Sequence, residues 1–299
     1  MSRYARLRPV RRATVTATAV LGACAALVAA GPVAAAAEGT GAAGARYVAL
    51  GDSYASGYGI TPIENEVCGR AKVSYPTVVI AADKSASLKN VACSGATTRA
   101  IWNEHKGQPK QISALKPDTT HVTVNIGGND IGFEKIVTEC AVLGLQQPTG
   151  SPCKSKFEAE VDAAFGKLKG RLASVAIDVK RKSPKAVVAL VGYPKLLPAD
   201  GSSCNRSEVP FASGDFAFLH GILVRLNDMI KAEAAQGGAL YIDTYKPSAD
   251  YDMCAPKNKR MIQPLLEGGR IAPAAAHPNA PGILRLGAAV SQALAKHSR

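Results

Sequence analysis

Four short stretches of this chain put reactive or polar groups where a strand pattern ends or a loop turns. Tyr47 to Leu50 is an apolar run with the length of a buried strand, and it leads into Gly51-Asp52-Ser53. Gly51 lets the backbone turn sharply, and Ser53 follows where a helical turn can start. Val122 to Ile126 leads likewise into Gly127-Gly128-Asn129-Asp130. Leu88 to Ala92 leads into Cys93-Ser94-Gly95-Ala96, and His277-Pro278-Asn279 stands near the C-terminus. A hydroxyl, an imidazole and neutral N–H donors are what acyl transfer requires, as nucleophile, base and cradle for an oxyanion. Taken alone, Gly51-Asp52-Ser53 reads equally well as a plain helix cap. The other stretches tip the reading toward chemistry, because the carboxyl edge of an open α/β sheet is where sites form.

The elements that must carry these groups alternate. Strand patterns lie at Tyr47 to Leu50, Leu88 to Ala92, His121 to Ile126, Ala186 to Val191 and Leu240 to Thr244. Between them, helical spacing runs over Ser74 to Asp83, briefly over Gln108 to Leu115, over Phe157 to Lys180 and over Phe216 to Ala235. A last helix is expected from about Pro281 to Lys296. Phe157, Val161, Phe165, Leu168, Leu172, Val175 and Val179 recur at steps of three and four, so one long helix is expected there. Residues 58–70, 141–152 and 245–276 read as loops around the strand ends. Five strands separated by helices argue for a parallel sheet with a helical layer on each face. No G-x-S-x-G, H-E-x-x-H or phosphate-loop motif is present. His105, His121, His220 and His297 read as structural, and Trp102 is open between cleft and core.

The front of the chain stands apart. Residues 1–12 carry Arg3, Arg6, Arg8, Arg11 and Arg12 and no acid, and an Ala-rich apolar run follows to Ala37. A basic start, an apolar middle and small residues at the end describe a secretory signal over residues 1–37, with a single domain over 38–299. Leu21-Gly22-Ala23-Cys24 offers an alternative, lipid attachment at Cys24. Six cysteines remain beyond Cys24, an even set that reads as disulfides in an exported chain, and no C-x-x-C spacing suggests zinc. Without the five arginines of residues 1–37, the formal charge of +13 becomes +8. Such a surface favours acidic partners, so transient contact with anionic lipid is expected and nucleic acid is not. No metal or cofactor is expected, and the chain is expected to be a monomer.

The order Ser, Gly, Asn, His, with Gly51-Asp52-Ser53, Gly95, Gly127-Gly128-Asn129-Asp130 and His277, resembles the SGNH hydrolases, also called the GDSL esterase/lipase family. The resemblance spans roughly residues 46–298. It implies the three-layer α/β/α sandwich of that family, with a five-stranded parallel sheet in the flavodoxin-like order 2-1-3-4-5. It implies Ser53 as nucleophile and His277 as base, with Ser53, Gly95 and Asn129 forming the oxyanion hole. Many family members carry Asp three residues before the histidine, and here that place holds Ala274. The chain is similar to secreted actinobacterial members in which a backbone carbonyl orients the histidine, which implies a Ser-His dyad with the Ala274 carbonyl, or that of Ala275, in the third place. Asp252 or Glu267 reaching in from elsewhere is the alternative. The same relatives imply sequential disulfides, Cys68 with Cys93, Cys140 with Cys153 and Cys204 with Cys254. The activity implied is hydrolysis of carboxylic esters, small or lipid. A carbohydrate acetyl esterase, a phospholipase A or an inactive binding module on the same fold are the competing readings.

Overall fold

The computed structural model describes residues 44–81 and 86–297. The expected signal over residues 1–37, with Cys24, lies outside the described residues.

Five parallel strands form the central sheet: β1 (Arg46–Gly51), β2 (Ser87–Asn90), β3 (His121–Asn125), β4 (Val187–Val191) and β5 (Leu240–Ile242). Their order across the sheet is β2-β1-β3-β4-β5, the expected one. Successive side chains on a strand point to opposite faces, and the core divides accordingly. Val48, Leu50, Val122, Val124, Val188 and Leu190 pack on one face, whereas Ala189, Val191 and Ile242 pack on the other. The first face is covered by α3 (Phe133–Gln146), α4 (Pro152–Leu168), α5 (Arg171–Lys182) and α6 (Asp215–Gln236). The second is covered by α7 (Ala280–Ala295) together with the shorter α1 (Ser53–Ser56) and α2 (Tyr75–Ile80).

Three expectations change. The single helix expected over Phe157 to Lys180 is two helices, α4 and α5, broken at Lys169-Gly170, where Gly170 has φ 80°. The buried steps run through the break, since Leu168 to Leu172 is again a step of four, so periodicity alone hides it. Residues 141–146, expected as loop, belong to α3, whose buried Phe133, Ile136, Val137, Cys140, Ala141 and Gly144 form one helical stripe. Gly144 is there for close approach: a Cβ on it would lie 2.0 Å from the Pro210 carbonyl oxygen. The short helix expected over Gln108 to Leu115 is a single 3₁₀ turn at Gln111–Ala114. Gln111 itself is buried and exchanges two hydrogen bonds with the backbone of Gly51, both 2.8 Å.

Register decides what meets at the sheet edge. Gly51 pairs with Asn125, so the turns after β1 and β3 leave the sheet side by side. Asn125 sends its side-chain N–H to the Val191 carbonyl at 2.9 Å, which draws the end of β4 to the same place.

Candidate active site

Asp52 caps α1, accepting the Tyr54 N–H at 3.0 Å, and this puts Ser53 at the first position of the helical turn. Gly51 has φ 146°, and a Cβ there would lie 2.4 Å from the Asn125 carbonyl oxygen, so the turn requires glycine. The Ser53 hydroxyl lies 2.7 Å from Nε2 of His277, and both residues are buried. Nδ1 of that ring lies 2.9 Å from the Ala275 carbonyl oxygen. A carbonyl only accepts, so Nδ1 carries the proton and Nε2 presents a lone pair to the Ser53 hydroxyl.

The loop before His277 is wound so that consecutive carbonyls face different partners. Ala274 and Ala276 have φ of 58° and 60°, the left-handed region that non-glycine residues rarely occupy. As a result the Ala274 carbonyl accepts the His277 backbone N–H at 3.0 Å, the Ala275 carbonyl accepts Nδ1, and the Ala276 carbonyl accepts the Tyr54 hydroxyl at 2.6 Å. The orienting carbonyl is therefore that of Ala275, which holds the 2.9 Å bond to Nδ1, while the Ala274 carbonyl closes the turn and adds a smaller pull on the same ring. Neither alternative acid reaches the ring. Asp252 pairs with Lys195 at 3.3 Å, and Glu267 accepts from Gln263 at 3.4 Å.

Burial pushes the His277 imidazole below its ordinary value, while the bond to Ala275 and the charge of Glu134 act the other way. Burial also pushes the Asp52 carboxyl up to about 7, opposed by bonds from the Tyr193 hydroxyl and the Tyr54 amide.

Ser53, Asn129 and His277 line one cavity of about 230 Å³, together with the apolar Phe133, Val137, Leu196, Leu223, Leu226 and Leu265. Asn129 holds the Ala96 carbonyl with one side-chain N–H at 2.9 Å, which leaves the other for a ligand. Gly95 does not line the cavity; it precedes Ala96, with φ 77°. Among the described residues, the backbone amides of Ser53 and Gly95 donate no hydrogen bond. Trp102 is not in the cavity wall either. It packs against the core and donates to Asp178 at 2.9 Å. The remaining histidines hold structural contacts, His220 with the Tyr245 hydroxyl at 2.6 Å and His105 with the Ser94 carbonyl at 3.1 Å.

Three disulfides, Cys68–Cys93, Cys140–Cys153 and Cys204–Cys254, follow the sequential pairing. Cys68–Cys93 links the segment after α1 to the segment after β2, Cys140–Cys153 links α3 to α4, and Cys204–Cys254 links the segment after β4 to the segment after β5. One residue of the cavity went unread in the sequence. Tyr193 follows β4 and bonds Asp52, and an aromatic after a strand-end glycine carries no signal of that role.

The profile of the GDSL-like lipase/acylhydrolase family matches residues 49–283, which takes in every one of these strand-end groups. The chain belongs to that family. It is a carboxylic ester hydrolase. Among curated proteins, this GDSL hydrolase is 37% identical over 250 residues to Lipase 2 of Streptomyces coelicolor, covering 80% of this chain and 82% of the relative. Among solved structures, it is similar to phospholipase A1 from Streptomyces albidoflavus, with a TM-score of 0.70, 29% identity, and coverage of 84% and 99% of the two chains. It is also similar to an extracellular lipase from Streptomyces rimosus, with a TM-score of 0.70, 26% identity, and the same coverage.

Proposed function

We propose that this hydrolase is an exported serine enzyme that cleaves esters of apolar acyl chains through a Ser53–His277 dyad. The observation that carries the reading is the 2.7 Å contact between the Ser53 hydroxyl and His277 Nε2 at the wall of an apolar cavity. Ser53 attacks the ester carbonyl as its proton passes to Nε2. The oxyanion takes up the amides of Ser53 and Gly95 and the spare side-chain N–H of Asn129. Collapse expels the alcohol, which receives the proton from His277, and water then repeats the sequence to release the acid. The Ala275 carbonyl fixes the tautomer of the ring, and being neutral it stabilises the imidazolium less than a carboxylate would.

The cavity supports a lipid-type acyl group. Its volume of about 230 Å³ is several times the roughly 30 Å³ share of one water, more than an acetyl group fills. Likeness to structures described as a phospholipase A1 and as an extracellular lipase favours the same direction. Export is supported by the disulfides and by the basic, Ala-rich start of the chain.

The test is a series of p-nitrophenyl esters of increasing acyl length, run beside acetylated xylan and phosphatidylcholine, on wild type and Ser53→Ala. The expected result is a preference for acyl chains longer than acetyl, lost entirely in Ser53→Ala, with a fluorophosphonate labelling Ser53 of the wild type alone. Near-normal turnover by folded Ser53→Ala would end the dyad reading, and a peak at acetyl would turn the substrate toward acetylated sugars.

A further inference from the structure

The cavity wall holds a buried tyrosine that the reaction above does not use. The Tyr193 hydroxyl donates to Asp52 Oδ2 at 2.5 Å and accepts the Gly128 N–H at 2.9 Å. Oδ1 of Asp52 caps the turn that presents Ser53. Gly128 is the residue before Asn129. One hydroxyl thus bonds both the turn after β1 and the turn after β3.

Tyr193 is itself held fast. Asn227, on α6, accepts the Tyr193 N–H at 2.7 Å and donates to its carbonyl at 3.0 Å. A Cβ on Gly128 would lie 3.2 Å from the Tyr193 hydroxyl oxygen, so the ring rests flush against that glycine. The edge of Tyr54 meets the ring at 5.0 Å between centroids. Backbone, ring and hydroxyl are all fixed, which is what a spacer between two reacting groups requires.

We propose that Tyr193 is a positioning residue that sets the separation of Ser53 and Asn129 by bonding Asp52 and Gly128 through one hydroxyl. The inference rests on Ser53 as nucleophile and Asn129 as oxyanion donor. A phenol oxygen can donate to a carboxylate and accept from an amide at once, so it clamps both turns without adding a charge. Without it, the buried Asp52 oxygen and the part-buried Gly128 N–H lose this partner, and each turn relaxes toward another one. The oxyanion donors then meet the developing charge at the wrong distance, while ground-state binding of the acyl chain is untouched.

The experiment compares wild type, Tyr193→Phe, Asp52→Ala and the double variant on a soluble p-nitrophenyl ester, with active sites counted by fluorophosphonate labelling. Tyr193→Phe is expected to keep KM within about twofold and to lose about tenfold to a hundredfold in kcat per labelled site. A tyrosine needed only for folding would lower the number of labelled sites and leave kcat per site unchanged. The double variant is expected to lose no more than the worse single one, because either change breaks the same clamp. Gly128→Ala, which presses on the ring and keeps the hydroxyl, is expected to lower kcat per site in the same way and serves where Tyr193→Phe does not fold. A kcat per site within about twofold of wild type in either variant, or losses that multiply in the double variant, overturns the proposal. A wild type unlabelled at Ser53 overturns the nucleophile assignment and this proposal with it. A labelled wild type beside an unaffected Tyr193→Phe overturns this proposal alone.

Discussion

His277 works in a setting where a neutral oxygen stands in the place usually held by an acid. The Ala275 carbonyl settles the tautomer, and burial favours the uncharged ring, which is the form a general base needs. Because the pKa is lowered, the neutral base persists as pH falls past 6.5, and kcat/KM is expected to drop only on the acid side of that value. The nearest carboxylates before His277 in sequence are Asp250, Asp252 and Glu267. Each changed to its amide is expected to keep activity within about tenfold and to leave that acid limb in place, whereas loss of a true triad acid costs about 10⁴ in turnover. Rate measurements across pH on the three variants check this. A fall of about a thousandfold in one of them, with folding intact, would reveal an acid partner.

At the scale of elements, two helix starts, those of α4 and α5, are held by distant carboxylates. Glu233 on α6 is buried and accepts the backbone N–H groups of Gly170, Leu172 and Ala173 at 2.7, 2.9 and 3.1 Å. It thereby caps α5 in the absence of a side-chain cap from Gly170. Asp215 does the same for α4 through Cys153 and Lys154, at 3.0 and 2.9 Å. Glu233→Gln turns a donor toward these donors and is expected to cost about 2 kcal/mol in urea unfolding. A loss under about 0.5 kcal/mol would show that the α5 start stands without its carboxylate.

Across the whole molecule, the disulfides span 25, 13 and 50 residues, for Cys68–Cys93, Cys140–Cys153 and Cys204–Cys254 in turn. Restricting the unfolded chain stabilises more as the closed loop lengthens. Replacing each pair by serines is expected to cost about 4 kcal/mol for Cys204–Cys254, about 3.5 for Cys68–Cys93 and about 3 for Cys140–Cys153. Denaturant unfolding of the three variants reads the order directly. A reversed order would mean that these bridges act on the folded state, by holding the segments around the cavity, more than on the unfolded chain.

Local chemistry made much of this protein legible in its sequence. Apolar runs located the strands, three of them running straight into glycine at Gly51, Gly127 and Gly192, because a buried parallel strand is apolar and must turn where it leaves the sheet. The edge strand β2, Ser87–Asn90, is polar and part-exposed and sits earlier than the Leu88 to Ala92 run expected for it. Motif order carried Ser53, Asn129 and His277 to one edge, and the structure brings all three to one cavity. What the sequence left open is what depends on partners far along the chain. The break between α4 and α5 sits inside an unbroken apolar stripe, and the Glu233 carboxylate that caps it lies more than 60 residues away. The choice of Ala275 over Ala274 turns on two left-handed alanines, which residue type does not announce. Tyr193 meets Asp52 across 141 residues, and that contact exists only because the sheet order sets the ends of β1, β3 and β4 side by side. Strand pattern is a property of neighbours in sequence, whereas a hydrogen bond between strand ends is a property of register, and register is decided when the sheet assembles.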